Sequence, residues 1–143
     1  MNVSHLLATK GRDVATINQE RSVRDAVAML KERGIGALVV VGGVGPLTGV
    51  LSERDVVRAI ARDGADALDE RVSALMSTDV TTCTEATSVN QLMSLMTEKR
   101  IRHVPVVESA MLVGLVSIGD VVKARVHELE NEKRDLLDYV SAR

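Results

Sequence analysis

Gly49-Val-Leu-Ser-Glu-Arg-Asp55 and Gly114-Leu-Val-Ser-Ile-Gly-Asp120 are one seven-residue phrase written twice in a chain of 143 residues. In each copy a glycine and two aliphatic residues close a buried strand, and Ser-x-x-Asp then opens an amphipathic helix. At such a junction the first backbone N–H groups of the helix lack intrahelical partners and point beyond the strand, beside a hydroxyl and a carboxylate. Those groups suit a phosphate and a sugar diol. The same spacing is also how a helix caps itself, serine at the N-cap and an acid three residues on. Ser22-Val-Arg-Asp25 has that spacing with no glycine-aliphatic strand before it, so spacing alone decides little. What sets the two junctions apart is the whole phrase, strand included, at equivalent places in two repeats.

Working outward, residues 14–41 match residues 80–107 at a constant offset of 80 − 14 = 66. Val14, Thr16, Ser22, Val23, Glu32, Ile35, Val40 and Val41 meet Val80, Thr82, Ser88, Val89, Glu98, Ile101, Val106 and Val107. Beyond Gly42-Gly-Val-Gly-Pro46 the offset drops to 112 − 47 = 65, because the first hairpin is one residue longer. Each repeat reads strand, helix, strand, strand, helix. Val23, Ala26, Val27 and Leu30 mark one helical face behind Ser22, and Val89, Leu92, Met93 and Met96 mark the same face behind Ser88, where Gln91 completes a capping box. These stripes are core. A short prelude precedes each repeat, with Val3, Leu6 and Leu7 in one and Val72, Leu75 and Met76 in the other, each a turn or two of helix lying over the module. The expected division is residues 1–63 for the first repeat with its prelude, 64–71 for a glycine-containing acidic linker, and 72–143 for the second repeat. A final helix is expected from Ile118 to about Tyr139, with Val122, Val126, Leu129, Leu136 and Val140 in heptad-like spacing broken by Lys133.

With 45% apolar and 27% charged residues the chain can bury a core, and a unit of some 60 residues is marginal alone, so the two should be stable as a pair. No apolar run reaches the roughly 18 residues that span a bilayer, and the N-terminus lacks a signal-peptide pattern, which reads as cytoplasmic with no membrane partner. A net charge of −2, no Trp or Phe and a single Tyr139 argue against nucleic acid as a partner. The lone Cys83 reads as a half-buried strand residue. There is no metal-ligand cluster, no activated nucleophile and no Gly-x4-Gly-Lys phosphate loop, hence no expected metal, catalytic residue or catalytic cofactor.

The duplicated element order, the two Gly-aliphatic-aliphatic-Ser-x-x-Asp junctions and Ile101-Arg-His-Val-Pro-Val106 together resemble the paired cystathionine-beta-synthase (CBS) domains, or Bateman module, over about Val14 to Val126. The resemblance implies an α+β fold, two pseudo-symmetric β-α-β-β-α repeats packed sheet to sheet and followed by the long helix. It also implies a non-enzymatic regulatory module that binds AMP, ADP, ATP or NAD(H) in clefts between the repeats and signals to an effector protein, as a homodimer. The family's ribose-binding aspartate falls on Asp55 and Asp120, and its phosphate-contacting hydroxyl on Ser52 and Ser117. Where the family often has Ser or Thr before the aspartate, this chain has Arg54 and Gly119, which predicts unequal clefts. Arg54, Arg102 and His103 are further phosphate candidates; Thr16, Ile35, Gly36, Ala37, Thr82 and Ile101 are candidates for adenine contacts through aliphatic atoms or backbone. The opposing expectation is a scaffold with empty or vestigial clefts, in which Ser52 and Asp55 serve only as caps.

Overall fold

The computed structural model describes residues 1–142. In chain order it contains α1 (Val3–Lys10), β1 (Thr16–Asn18), α2 (Val23–Arg33), β2 (Ala37–Val41), β3 (Gly49–Ser52), α3 (Glu53–Asp63), a 3-10 helix (Gly64–Asp69), the single turn α4 (Val72–Leu75), α5 (Val89–Lys99), β4 (His103–Glu108), β5 (Met111–Ser117) and α6 (Ile118–Ser141). The fold is α+β with two small sheets and a long last helix, as the repeat predicted. That helix runs two residues past Tyr139.

The first repeat carries a three-stranded sheet, with β1 parallel to β2 and β2 antiparallel to β3. In the second repeat, β4 and β5 pair antiparallel, but the expected first strand shrinks to one parallel bridge between Cys83 and Val106. Pro105 has no N–H to extend that pairing. The helices form where the apolar stripes predict: Val23, Ala26 and Leu30 of α2 and Val89, Leu92 and Met96 of α5 are buried. Serine caps start both, and each ends in a left-handed residue, Gly34 in one and Arg100 in the other.

The preludes cross over. Val3, Leu6 and Leu7 of α1 lie in the core of the second repeat with Leu92, Val104 and Val116, while Val72 of α4 lies in the core of the first with Leu38, Val40 and Leu51. Backbone bonds pin the exchange: Val3 donates to the Thr87 carbonyl at 2.9 Å and Val89 to that of Met1 at 3.1 Å, and on the other side Val72 donates to Arg21 at 2.8 Å and Val23 to Glu70 at 2.8 Å. Burying each aliphatic side chain is worth roughly 1.5–3 kcal/mol, so neither half has a complete core without the other's prelude. The exchange also explains the glycine of the junction. A Cβ on Gly114 would sit 2.6 Å from the Leu7 side chain, and one on Gly49 would sit 2.8 Å from both the Met76 sulfur and the Ser77 carbonyl. Residues 64–71 hold the 3-10 helix, with Ala67 buried and Leu68 against the first core.

Candidate functional site

Both Ser-x-x-Asp junctions form complete capping boxes. Ser52 donates from its backbone N–H (2.8 Å) and its hydroxyl (3.0 Å) to Asp55 Oδ2, and the Asp55 N–H donates back to Ser52 Oγ at 3.3 Å. Ser117 and Asp120 repeat this geometry at the same three distances. At Ser22 the serine still caps, but Asp25 turns away to Arg21 Nε at 3.0 Å. The phrase therefore does specify something that spacing alone does not: a carboxylate folded back on its serine.

Of the backbone N–H groups that open α3, Glu53 donates to the Gly36 carbonyl at 3.0 Å and Asp55 to Ser52 Oγ at 3.3 Å. Two of the donors that the sequence offered to a ligand are therefore engaged within the fold. The Oδ1 atom of Asp55 has no hydrogen-bond partner among the described residues, so the carboxylate caps with Oδ2 alone.

Around these atoms lies a cavity of ≈ 550 Å³ lined by both repeats. It gathers the candidates Gly36, Ser52, Arg54, Asp55, Ile101, Arg102 and His103. Thr16 is exposed on β1, Ile35 packs on the first core, Ala37 is buried, and Thr82 lies beside the Cys83 bridge; none of these four lines the cavity. Val50, Ser77, Val80 and Thr81 line it instead, with Asp79, Arg58, Lys99 and Arg100. Arg58 could have been found one helical turn after Arg54. The segment 77–81 has no signal in the phrase, because the exchanged prelude brings it there.

Five cations (Arg54, Arg58, Lys99, Arg100, Arg102) and three acids (Glu53, Asp55, Asp79) face this space, in a chain whose net charge is −2. None of the five cations forms an ion pair with a described residue; Arg54 donates only to the Arg100 carbonyl, at 3.4 Å. Arg100 itself has φ 54, at the place where the first repeat has Gly34. A non-glycine residue there costs about 1 kcal/mol, and such strain gathers at functional sites.

His103 stands where the sheets meet, its Cε1 3.3 Å from the position of a Cβ on Gly36. Burial above all, with the nearby Lys10 and Arg102 cations, lowers its pKa below the ordinary 6.5, against the opposing pull of Glu53 and Asp120. It is a neutral donor or acceptor at pH 7 rather than a cation.

Asp120 is placed differently. Lys10 Nζ sits 2.6 Å from its Oδ2, and the same ammonium donates to the Leu115 carbonyl at 2.6 Å. Burial pushes the Asp120 carboxyl up, but the Lys10 ammonium and the Ser117 N–H and hydroxyl outweigh it and hold it below its ordinary 3.8. Gly119 and Ser117 stay beside it, outside the Asp55 cavity.

Two α+β repeats interlocked by their preludes, each with a serine-aspartate box at a strand-to-helix junction, make one paired module. The chain belongs to the CBS domain family, whose model matches residues 3–62 and 72–127. It is 36% identical to the mitochondrial CBS domain-containing protein CBSX3 of Arabidopsis thaliana, over 96% of this chain and 71% of that protein. A CBS-domain containing protein from Agrobacterium tumefaciens superposes with a TM-score of 0.84 at 45% identity, over 87% of this chain and 92% of that one. The CBS domain pair of protein MJ0100, solved in complex with 5-methylthioadenosine and S-adenosyl-L-methionine, shares the fold at a TM-score of 0.79 and 23% identity, over 90% of this chain and 98% of that one.

Proposed function

We propose that this chain is a non-enzymatic regulatory module that binds an adenosine-containing nucleotide, one of AMP, ADP, ATP or NAD(H), in the Asp55 cleft and passes the resulting closure to a partner protein. The observation that carries this is the set of five cations without an ion pair around a cleft in which Asp55, its Oδ2 held by Ser52, has no hydrogen-bond partner at Oδ1 among the described residues. The cations suit phosphates, and the Asp55 carboxylate suits the two hydroxyls of a ribose, a charge-assisted pairing of the stronger class. The adenine would lie between the aliphatic atoms of Val50, Val80 and Ile101. An excess of cations over acids favours two or more phosphates over one. The adenosine ligands of MJ0100 agree with the class of ligand.

We also propose a homodimer through α6. Val122, Val126, Leu129, Leu136 and Val140 form an exposed apolar seam. Its flanks carry both signs along the helix, Lys123, Arg125 and Glu128 early and Glu130, Glu132, Lys133 and Arg134 later. A second copy of this chain would cover that seam.

The complete capping boxes favour the scaffold alternative to the extent that Ser52 and Asp55 have structural work of their own. Thermal unfolding against AMP, ATP, NAD and 2'-deoxy-AMP separates the two, with Asp55→Asn as the control because asparagine keeps a capping acceptor. A ligand at 100 times its dissociation constant adds about 2.7 kcal/mol. A midpoint rise of several degrees that Asp55→Asn abolishes, with the deoxy ligand weaker by about 1–3 kcal/mol, is the expected result. No rise with any ligand would leave the scaffold.

A further inference from the structure

The two preludes end in opposite charges. Leu7 and Met76 occupy equivalent places against Gly114 and Gly49, so the preludes correspond at an offset of 76 − 7 = 69, which sets Lys10 against Asp79 (79 − 10 = 69). Past Met76 the chain extends, and Ser77 pairs with Val50, its N–H donating to the Val50 carbonyl at 2.9 Å. Past Leu7 the chain stays helical through Lys10. The carbonyl equivalent to that of Val50 is Leu115, at 50 + 65, and the Lys10 ammonium takes it in place of a backbone N–H. The same ammonium reaches Asp120. One lysine thus fills the edge that Ser77 fills in the other half, and it brings an ammonium to a carboxylate whose counterpart, Asp55, has no ion pair among the described residues.

We propose that Lys10 holds the Asp120 cleft closed as an internal counter-cation, so that the module takes one nucleotide per chain, at Asp55, and keeps Asp120 as a latent second nucleoside site opened when the last turn of α1 releases. This rests on the Asp55 reading above for the class of ligand but not for the closure. An ammonium 2.6 Å from Asp120 Oδ2 neutralises the charge that would receive a ribose diol, and a ligand entering there must first displace the lysine from two acceptors. Asp79 gives no such neutralisation to Asp55. Its carboxylate adds to the negative charge on that side, and the five cations answer it.

The test is calorimetric titration of the full chain with AMP and with ATP, each variant's melting curve confirming that it folds. Lys10→Met keeps the aliphatic stem, and Asp120→Asn keeps a capping acceptor. The expected stoichiometry is one per chain for the wild type, none for Asp55→Asn, two for Lys10→Met, one for Lys10→Met with Asp55→Asn, and none when Asp120→Asn is added to that pair. Lys10→Arg, which keeps the cation, stays at one. A wild type that binds two, one of them lost on Asp120→Asn, overturns the closure, as does a folded Lys10→Met protein that still binds no more than the wild type. A wild type that binds nothing while Lys10→Met binds through Asp120 upholds the closure and removes the Asp55 reading instead.

Discussion

Val39 and Pro105 stand at the same place in the two repeats, 66 residues apart, and only Val39 has an N–H to give. It donates to the Ala15 carbonyl at 3.1 Å, which lets β1 run alongside β2. Pro105 accepts from the Cys83 N–H at 3.0 Å, but nothing is donated back to Thr81, the counterpart of Ala15. Thr81 is left to line the Asp55 cavity. Proline in the middle of a ladder removes a hydrogen bond and leaves its acceptor unpaired, which costs about 1–3 kcal/mol. Val39→Pro is expected to lose about that much in denaturant unfolding, while Pro105→Val changes stability by no more than about 1 kcal/mol and brings new hydrogen-exchange protection at residue 105.

Arg100→Gly should separate stability from binding. Relief of the left-handed backbone is expected to raise unfolding free energy by about 1 kcal/mol, since glycine adopts this conformation without strain. Loss of the guanidinium should weaken ATP binding about tenfold, and calorimetry beside a melting curve checks both. A stability gain with unchanged binding would remove Arg100 from the phosphate site.

His103 gives a pH dependence with a definite sign. A base whose folded pKa lies below its ordinary 6.5 binds more protons unfolded than folded, so stability is full above about pH 6.5 and falls as acid carries the protein down toward the folded value. Lys10→Met, which removes one of the charges holding that pKa down, should move the His103 titration upward in an NMR experiment. No movement would place Lys10 away from His103 in solution.

How far the sequence could be read is clear from these residues. Apolar periodicity located the α-helices and the repeat offset five of the six expected strands, because these are local signals; the 3-10 helix Gly64–Asp69 stands where a linker was expected, and the sixth strand was lost to one missing N–H at Pro105. Seven of the candidate residues meet in one cavity, three from the junction phrase (Ser52, Arg54, Asp55) and four from outside it (Gly36, Ile101, Arg102, His103). Thr16, Ile35, Ala37 and Thr82 lie off that cavity, because alignment to a repeat says which residues correspond, not which way they face. Lys10 was invisible as a partner of Asp120, since the bond joins residues 110 apart through an exchange that no local pattern encodes.

Cys83 is expected to be inert. Burial first, and the Glu108 carboxylate second, push its thiol from 9.0 up to about 11. At pH 8 that leaves about a hundredfold less thiolate than an unshifted thiol, so reaction with an aromatic disulfide reagent should be slower by about that factor in the folded chain and recover in urea. Equal rates in both states would show that the Cys83 bridge opens readily.

The crossing of the preludes makes the molecule a knot of loyalties rather than a string of two beads. A protease that nicked the chain between residues 64 and 71 would release nothing, because the fragment carrying α1 would still be clasped in the core of the fragment carrying α4, and the reverse. Either fragment made alone would present an empty socket and a stray plug of matching shape. Mixed together, the two should rebuild the whole without a peptide bond between them.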